Sequence, residues 1–288
     1  MASKIEEQKK LANELWYWYL TGDHKHGFPK NYERLKSINR KLYGVLPGDP
    51  RCFECNLPLS GTSANVIGPL GLRASRFSPQ LCSWCESSIR KMEGGAEIEL
   101  TMLFADVRGS TSLADTIGIN EFTNIIQRFY KVATDIILQD RGMVNRLMGD
   151  QVIGLFVPRF SGRNHAQAAI EAAKDLLQET GHQDRNGPWV PVGVGVHTGP
   201  AYVGTVGHGD SVNEIAVLGS AANLAARLSS SAGQGEVLIS QAALDRADQN
   251  GEGMESRELE VKGVAESITV HVMSRNNAPQ QVSHKDAG

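Results

Sequence analysis

Two hydrophobic periods alternate along this chain. Residues 4–20 place apolar side chains at helical spacing and end in Trp16-Tyr17-Trp18-Tyr19, after which Thr21-Gly22-Asp23 offers a stop. The polar positions of this helix mix both charges. That pattern suits packing on the rest of the protein or on a partner subunit better than lying on a membrane. Residues 49–93 lose the period, are rich in Gly, Pro and Ser, and carry every cysteine; Gly94-Gly95 after them reads as a hinge. From residue 97 the pattern becomes regular. Residues 97–107 form a strand that turns fully apolar, with Ile98, Leu100, Met102, Leu103 and Phe104. Residues 120–138 return to helical spacing through Phe122, Ile125, Ile126, Phe129, Val132, Ile136 and Ile137. Residues 142–147 and 152–157 read as a hairpin turning at Gly149-Asp150. An Ala-rich helix (165–177), a strand interrupted by Gly193 and Gly195 (190–198), a second hairpin (202–206 with 214–218) and a helix (220–229) follow. Short strands and one more helix then run to Met273.

The order strand–helix–strand–strand–helix–strand predicts an α/β (α+β) fold with a ferredoxin-like split βαβ core. The expected divisions are an N-terminal helical segment (1–48), a four-cysteine module (49–93), one α/β domain (97–273) and a polar, disordered tail (274–288).

Composition narrows the function classes. The 288 residues are 41% hydrophobic and 21% charged with net charge −3, so no basic face favours nucleic acid. No apolar run is long enough for a membrane span, and the N-terminus lacks the apolar stretch of a secretory signal. The expectation is a cytoplasmic protein with reduced thiols. Its four cysteines then read as ligands rather than disulfides.

Two aspartates stand out. Asp106 lies in Phe104-Ala-Asp-Val-Arg-Gly-Ser-Thr111, and Asp150 in Arg146-Leu-Met-Gly-Asp-Gln151. Both fall at expected strand tips, where two carboxylates can hold divalent cations; alternatively Asp106 caps the following turn and Asp150 belongs to a plain hairpin. Arg108-Gly-Ser-Thr111 offers backbone N–H groups for phosphate oxygens. Asn223 and Arg227, four apart, share one face of a helix.

With Val192-Gly-Val-Gly-Val-His-Thr-Gly199, these motifs resemble the catalytic domain of class III nucleotide cyclases over roughly residues 97–273. The resemblance implies conversion of a nucleoside triphosphate to a 3′,5′-cyclic monophosphate and pyrophosphate. It implies a site of two Mg²⁺ or Mn²⁺ ions at Asp106, Val107 and Asp150, with Arg227 neutralising the α-phosphate and Asn223 orienting the ribose. It also implies a head-to-tail homodimer in which the aspartates of one chain face Asn223 and Arg227 of the other. His197 fits the family's strand pattern and reads as structural.

The base-reading positions depart from the family. Where adenylyl cyclases carry lysine, and aspartate or threonine, this chain has Arg146 and Ala216, with Ser220 in place of a further aspartate. Arg146 offers only donors and Ala216 nothing. Such a pocket suits a base that presents carbonyl oxygens, and uracil is the first choice; Arg146 standing in for lysine, with cyclic AMP as product, is the alternative. The uridylate reading extends the resemblance to the stand-alone bacterial pyrimidine cyclases of Pycsar anti-phage systems, which act through an effector that binds the cyclic nucleotide. A catalytically silent nucleotide-binding module, or a zinc-dependent interaction protein, is the rival of another class.

Cys52-Phe-Glu-Cys55 and Cys82-Ser-Trp-Cys85 are two CxxC pairs that together suit a Cys₄ site for Zn²⁺, with an iron–sulfur cluster as the alternative. Arg73 and Arg76 between them either bind an anion or face water.

Overall fold

The computed structural model describes residues 2–23, 30–75, 80–207, 214–259 and 267–274. Two helices, α1 (Ala2–Thr21) and α2 (Lys30–Gly44), precede the cysteine segment with its short helices α3 (Gly61–Ile67) and α4 (Ser83–Arg90). Then come β1 (Gly94–Val107), α5 (Ser110–Ile117), α6 (Ile119–Gln139), β2 (Met143–Met148), β3 (Gln151–Phe156), α7 (Pro158–Ser161) and α8 (His165–Glu179). The chain continues through β4 (Val192–Val206), β5 (Glu214–Leu218), α9 (Ser220–Ser231), β6 (Glu236–Ser240), α10 (Gln241–Arg246), β7 (Glu255–Leu259) and β8 (Ile268–Ser274). The expected tail lies, beyond Ser274, outside the described residues, as does Arg76; Arg73 is exposed.

The strands form one sheet in the order β2-β3-β1-β4-β6-β8-β7, with β5 paired to β4. Its first four strands have the split βαβ arrangement, and among the described residues only β4–β6 is parallel. Alternation along the strands gives the sheet two apolar faces. Leu103, Ala105 and Val107 of β1 and Val192, Val194 and Val196 of β4 pack under α6 and α8, against Phe129, Ile137, Ala169 and Leu176. On the other face, Leu100, Met102 and Phe104 pack in one cluster with Ala221, Ala222 and Ala225 of α9, with Trp16, Tyr19 and Leu20 of α1, and with all four cysteines. The cysteine segment and the sheet thus share a core.

Two local readings are corrected. Gly94-Gly95 is not a hinge: both residues pair with Thr205 and Gly204 in the ladder. A Cβ on Gly95 would stand 2.7 Å from the Gly204 backbone and 2.4 Å from the Tyr202 ring, so glycine is there for close approach. The Gly95 N–H donates to Asn13 Oδ1 (3.1 Å) and Trp16 Nε1 donates to the Met92 carbonyl (3.1 Å), tying α1 to the start of β1. Nor does the strand at Val192 end at Thr198. Gly199 and Pro200 pair with Leu100 and Glu99, so β4 runs on without a break. The glycines of Val192-Gly-Val-Gly have a packing role as well. A Cβ on Gly195 would fall 2.3 Å from Ser229 N and 2.7 Å from the Ala225 carbonyl, so bare backbone lets α9 lie on the sheet.

Two buried histidines make the fold acid-sensitive. His165 Nδ1 shares a hydrogen bond with Thr101 Oγ1 (2.8 Å), and His197 Nδ1 one with Ser240 Oγ (2.8 Å). Burial pushes each down to about 4 from 6.5. The unfolded chain therefore binds these protons more readily than the native one. Stability is full above pH 6.5 and falls as pH drops through 6.5 toward 4, by up to about 3 kcal/mol per histidine. Tm measured between pH 7.5 and 4.5 is expected to fall in that window, with a shallower slope for His197→Asn; an unchanged slope in the variant would remove His197 from the account.

Candidate active site and metal centre

The strand register sets the first cluster. Asp106, next to last in β1, pairs with Gln151 at the start of β3. Asp150 sits in the turn just before it, with Gly149 at φ +64°. The Val107 N–H donates to the Asp150 carbonyl (3.1 Å), and Tyr130 Oη of α6 donates to the Gly149 carbonyl (2.7 Å), fixing the turn. Burial raises the Asp106 carboxyl above its usual range; Arg108 opposes this and Asp150 adds to it. Two carboxylates that repel one another at half-buried strand ends could hold a cation. Arg108 supplies part of that charge: its guanidinium pairs with Asp106, while Nη1 donates to the Ser230 carbonyl (3.1 Å) at the end of α9. Gly109 caps α5 at φ +63°, so the first-turn N–H groups that follow lack helical partners.

Asn223 and Arg227 lie on the flank of α9 turned from the sheet, whereas Ala221, Ala222, Ala225 and Leu228 face it. Asn223 is exposed and Arg227 half-buried. Neither side chain forms a hydrogen bond or ion pair among the described residues, and neither contacts Asp106 or Asp150 of its own chain.

Arg146 is joined to β5. Its guanidinium pairs with Glu214, two residues before Ala216 and on the same side of that strand. Ala216 is buried opposite Gly204. Glu214 thus brings a carboxylate beside the Arg146 donor, a group that the sequence reading of this pocket did not include. Sequence reasoning missed it because the two residues lie on strands distant in the chain and Glu214 belongs to no motif. Its only signal was the period-two relation to Ala216.

The second cluster is the cysteine tetrad. All four residues are buried, and their Sγ atoms lie within 4.8 Å of one another. Cys55 and Cys82 Sγ are 3.7 Å apart. A tetrahedron of zinc–thiolate bonds has edges of about 3.8 Å, so the spacing fits four sulfurs on one ion. An iron–sulfur cluster holds its cysteines at its outer corners, which demands a wider spread. The Cys82 N–H donates to Cys52 Sγ (3.2 Å) and the Cys85 N–H to Cys82 Sγ (3.4 Å), arrangements that stabilise thiolates. Hydrogen bonds from Cys55 and the other two thiols hold Cys52 below the usual thiol range.

Residues 95–274 match the family described as the Adenylate and Guanylate cyclase catalytic domain. Among curated proteins, an uncharacterised protein of Mycobacterium tuberculosis is 30% identical over 135 residues, which cover 47% of this chain and 23% of that protein. An adenylate cyclase of Anabaena cylindrica is 27% identical over 146 residues, covering 49% of this chain and 29% of that one. The chain thus spans about a quarter of the length of these curated relatives. Among solved structures, the guanylyl cyclase Cya2 superposes with a TM-score of 0.55 at 25% identity, over 62% of this chain and 93% of that one. The adenylyl cyclase CyaB from P. aeruginosa gives 0.53 at 26%, over 64% and 99%.

Proposed function

The chain belongs to the adenylate and guanylate cyclase catalytic-domain family, and from that premise we propose that it cyclises a nucleoside triphosphate to its 3′,5′-cyclic monophosphate with release of pyrophosphate. The observation that carries this reading is the pair of carboxylates, Asp106 and Asp150, held side by side at the ends of β1 and β2–β3. Those carboxylates, with the Val107 carbonyl, would hold two Mg²⁺ or Mn²⁺ ions, which supply positive charge for the attacking 3′-oxygen and the leaving pyrophosphate. Arg108 pairs with Asp106 and would keep its carboxylate oriented at the strand end where the cations would be held. The first-turn N–H groups of α5 receive phosphate oxygens. Arg227 meets the charge that grows on the α-phosphate, and Asn223 orients the ribose.

The active assembly is a homodimer. Asn223 and Arg227 are unpartnered among the described residues of their own chain, which supports their use by a second copy. Leu147, Met148 and Leu218 add exposed apolar surface beside Arg146 and Ala216 for that copy to cover. The tetrad holds one structural Zn²⁺. Among the described residues no helix is long and apolar enough to cross a membrane.

The preferred base is uracil. Arg146 donates to a carbonyl oxygen, and Glu214 accepts from the neighbouring ring N–H, a donor–acceptor couple that matches the keto–imide edge. The uridylate reading brings with it a signalling role in anti-phage defence through an effector that binds cyclic UMP. Glu214 also favours guanine as a second reading, since a carboxylate can accept from both its N1–H and its amino group. Adenine would use the same couple, with Arg146 donating to a ring nitrogen and Glu214 accepting from the exocyclic amine, so cyclic AMP is the alternative product. Incubating the protein with Mn²⁺ and equimolar ATP, GTP, UTP and CTP, then identifying products by mass spectrometry, tests this directly. Cyclic UMP is expected to dominate. Dominant cyclic AMP would overturn the base assignment, and no cyclic product from the dimer would overturn the activity.

A further inference from the structure

Arg108 reaches two elements at once. It follows β1, and its backbone N–H donates to the Pro191 carbonyl (2.8 Å) just before β4. From that fixed base the guanidinium points two ways. Nη2 pairs with the Asp106 carboxylate, while Nη1 donates to the Ser230 carbonyl (3.1 Å) and lies 3.5 Å from that of Ala232. The side chain is 19% exposed, and its Nε is buried without a partner among the described residues. A surface arginine that balances one carboxylate can leave its remaining donors in water. Here Nε gives up that contact, a cost that the bonds to both elements offset.

Ser230 belongs to the last turn of α9, where carbonyls lack helical partners and form the negative end of the helix dipole. A cation held there fixes the helix end. The sheet is shaped to receive it. Gly193 pairs with Asp106 in the β1–β4 ladder, and a Cβ on Gly193 would stand 2.9 Å from the Ala232 carbonyl and 3.1 Å from that of Gly233. Bare backbone thus lets the end of α9 lie against the Asp106 end of β1, and Arg108 fastens it. Arg227 stands one turn before Ser230, and Asn223 one turn before that.

In the homodimer proposed above, Asp106 serves its own chain's site, while Asn223 and Arg227 serve the site of the other copy. We propose that Arg108 is a positioning residue that sets the placement of α9, and through it of Arg227, in the active site completed by the second copy. Each Arg108 then acts on both sites, on its own through Asp106 and on the other through α9. The proposal rests on the shared-site reading.

Heterodimers separate the two actions. One chain carries Asp106→Asn and keeps Arg227; the other carries Arg227→Ala and keeps both aspartates. Co-expressed with different tags and purified through both, the pair has one complete site, with α9 from the first chain and the aspartates from the second. Arg108→Gln is then added to the first chain, where no Asp106 carboxylate is left for it to serve. With Mn²⁺ and the preferred nucleotide, kcat is expected to fall ~10-fold, the scale of a misplaced transition-state group. Mn²⁺ binding, followed by electron paramagnetic resonance, is expected to stay unchanged, because the aspartates of the complete site belong to the other chain. Where Arg108→Gln lowers Tm, Arg108→Lys, which keeps a cation at the helix end, carries the test with an expected loss of ~3-fold. Unchanged kcat in both variants overturns the proposal and leaves the shared-site dimer standing. A fall in kcat matched by an equal weakening of Mn²⁺ binding also overturns it. A heterodimer no more active than its parent homodimers overturns the shared-site reading, and this proposal with it.

Discussion

Asp106→Asn is expected to lower cyclase turnover by ~10³-fold or more while leaving the fold intact. The substitution keeps the shape of the side chain and removes its charge. Loss of 10³ in rate corresponds to about 4 kcal/mol of transition-state stabilisation, a reasonable share for charge compensation at attacking and leaving oxygens. Stability is expected to move little, and not downward. Burial holds the Asp106 carboxyl above its usual range, so its ionised form is an unfavourable feature of the native state that the amide relieves. Arg108 keeps its bond to the Ser230 carbonyl when the carboxylate is gone. The measurement is pyrophosphate release with Mn²⁺ and the preferred nucleotide, paired with a thermal melt. Turnover above a tenth of the parent rate would sink the two-cation assignment. A collapse of Tm would instead make Asp106 a residue of the fold.

The parts of this site legible in the sequence were those fixed by local pattern. The alternation of β1 and the Gly149-Asp150 turn put two aspartates at adjacent strand ends, and one ladder then brought them together. The helical spacing of α9 put Asn223 and Arg227 on one flank. What escaped was whatever depends on contacts between distant segments. The pairing of Arg146 with Glu214 joins β2 to a strand far along the chain, and no period announces it. The knot of Lys36, Glu54, Arg159 and Trp18 draws one residue from each of four segments. Gly94-Gly95 misled for a related reason. Glycine read alone suggests freedom, but here it marks a place where Tyr202 and Gly204 come too near for a side chain. The cysteines were legible as two CxxC pairs suited to one site, and the four do lie together. That they sit in one cluster with Trp16 and Leu100, rather than in a module apart, was not.

That shared core gives the largest expected effect on stability. Removing the tetrad's ion with a strong chelator, or replacing one ligand by Cys85→Ser, is expected to lower Tm by roughly 10 °C. Structural zinc contributes about 10–16 kcal/mol in isolated fingers, where nothing else holds the chain. Here the sheet has a further core under α6 and α8 that includes none of the four cysteines, so only part of that figure is at stake. A loss of about 4 kcal/mol in a chain of this size gives the stated shift. The damage spreads in a defined direction. Without a cation the four groups within 4.8 Å of one another take up protons and lose the bonds that join them to one centre, which is expected to loosen the segment. Glu54 then leaves Lys36 and Arg159, and Trp18 and Tyr19 lose the surface they pack on. Asp106 stands at the far end of β1 from Gly94 and its tie to α1, so turnover measured well below the new Tm is expected to survive. Native mass spectrometry should find one zinc per chain. Visible absorption and bound iron would replace zinc with a cluster, and an unchanged Tm after verified metal loss would mean that apolar packing alone holds the cysteine segment on the sheet.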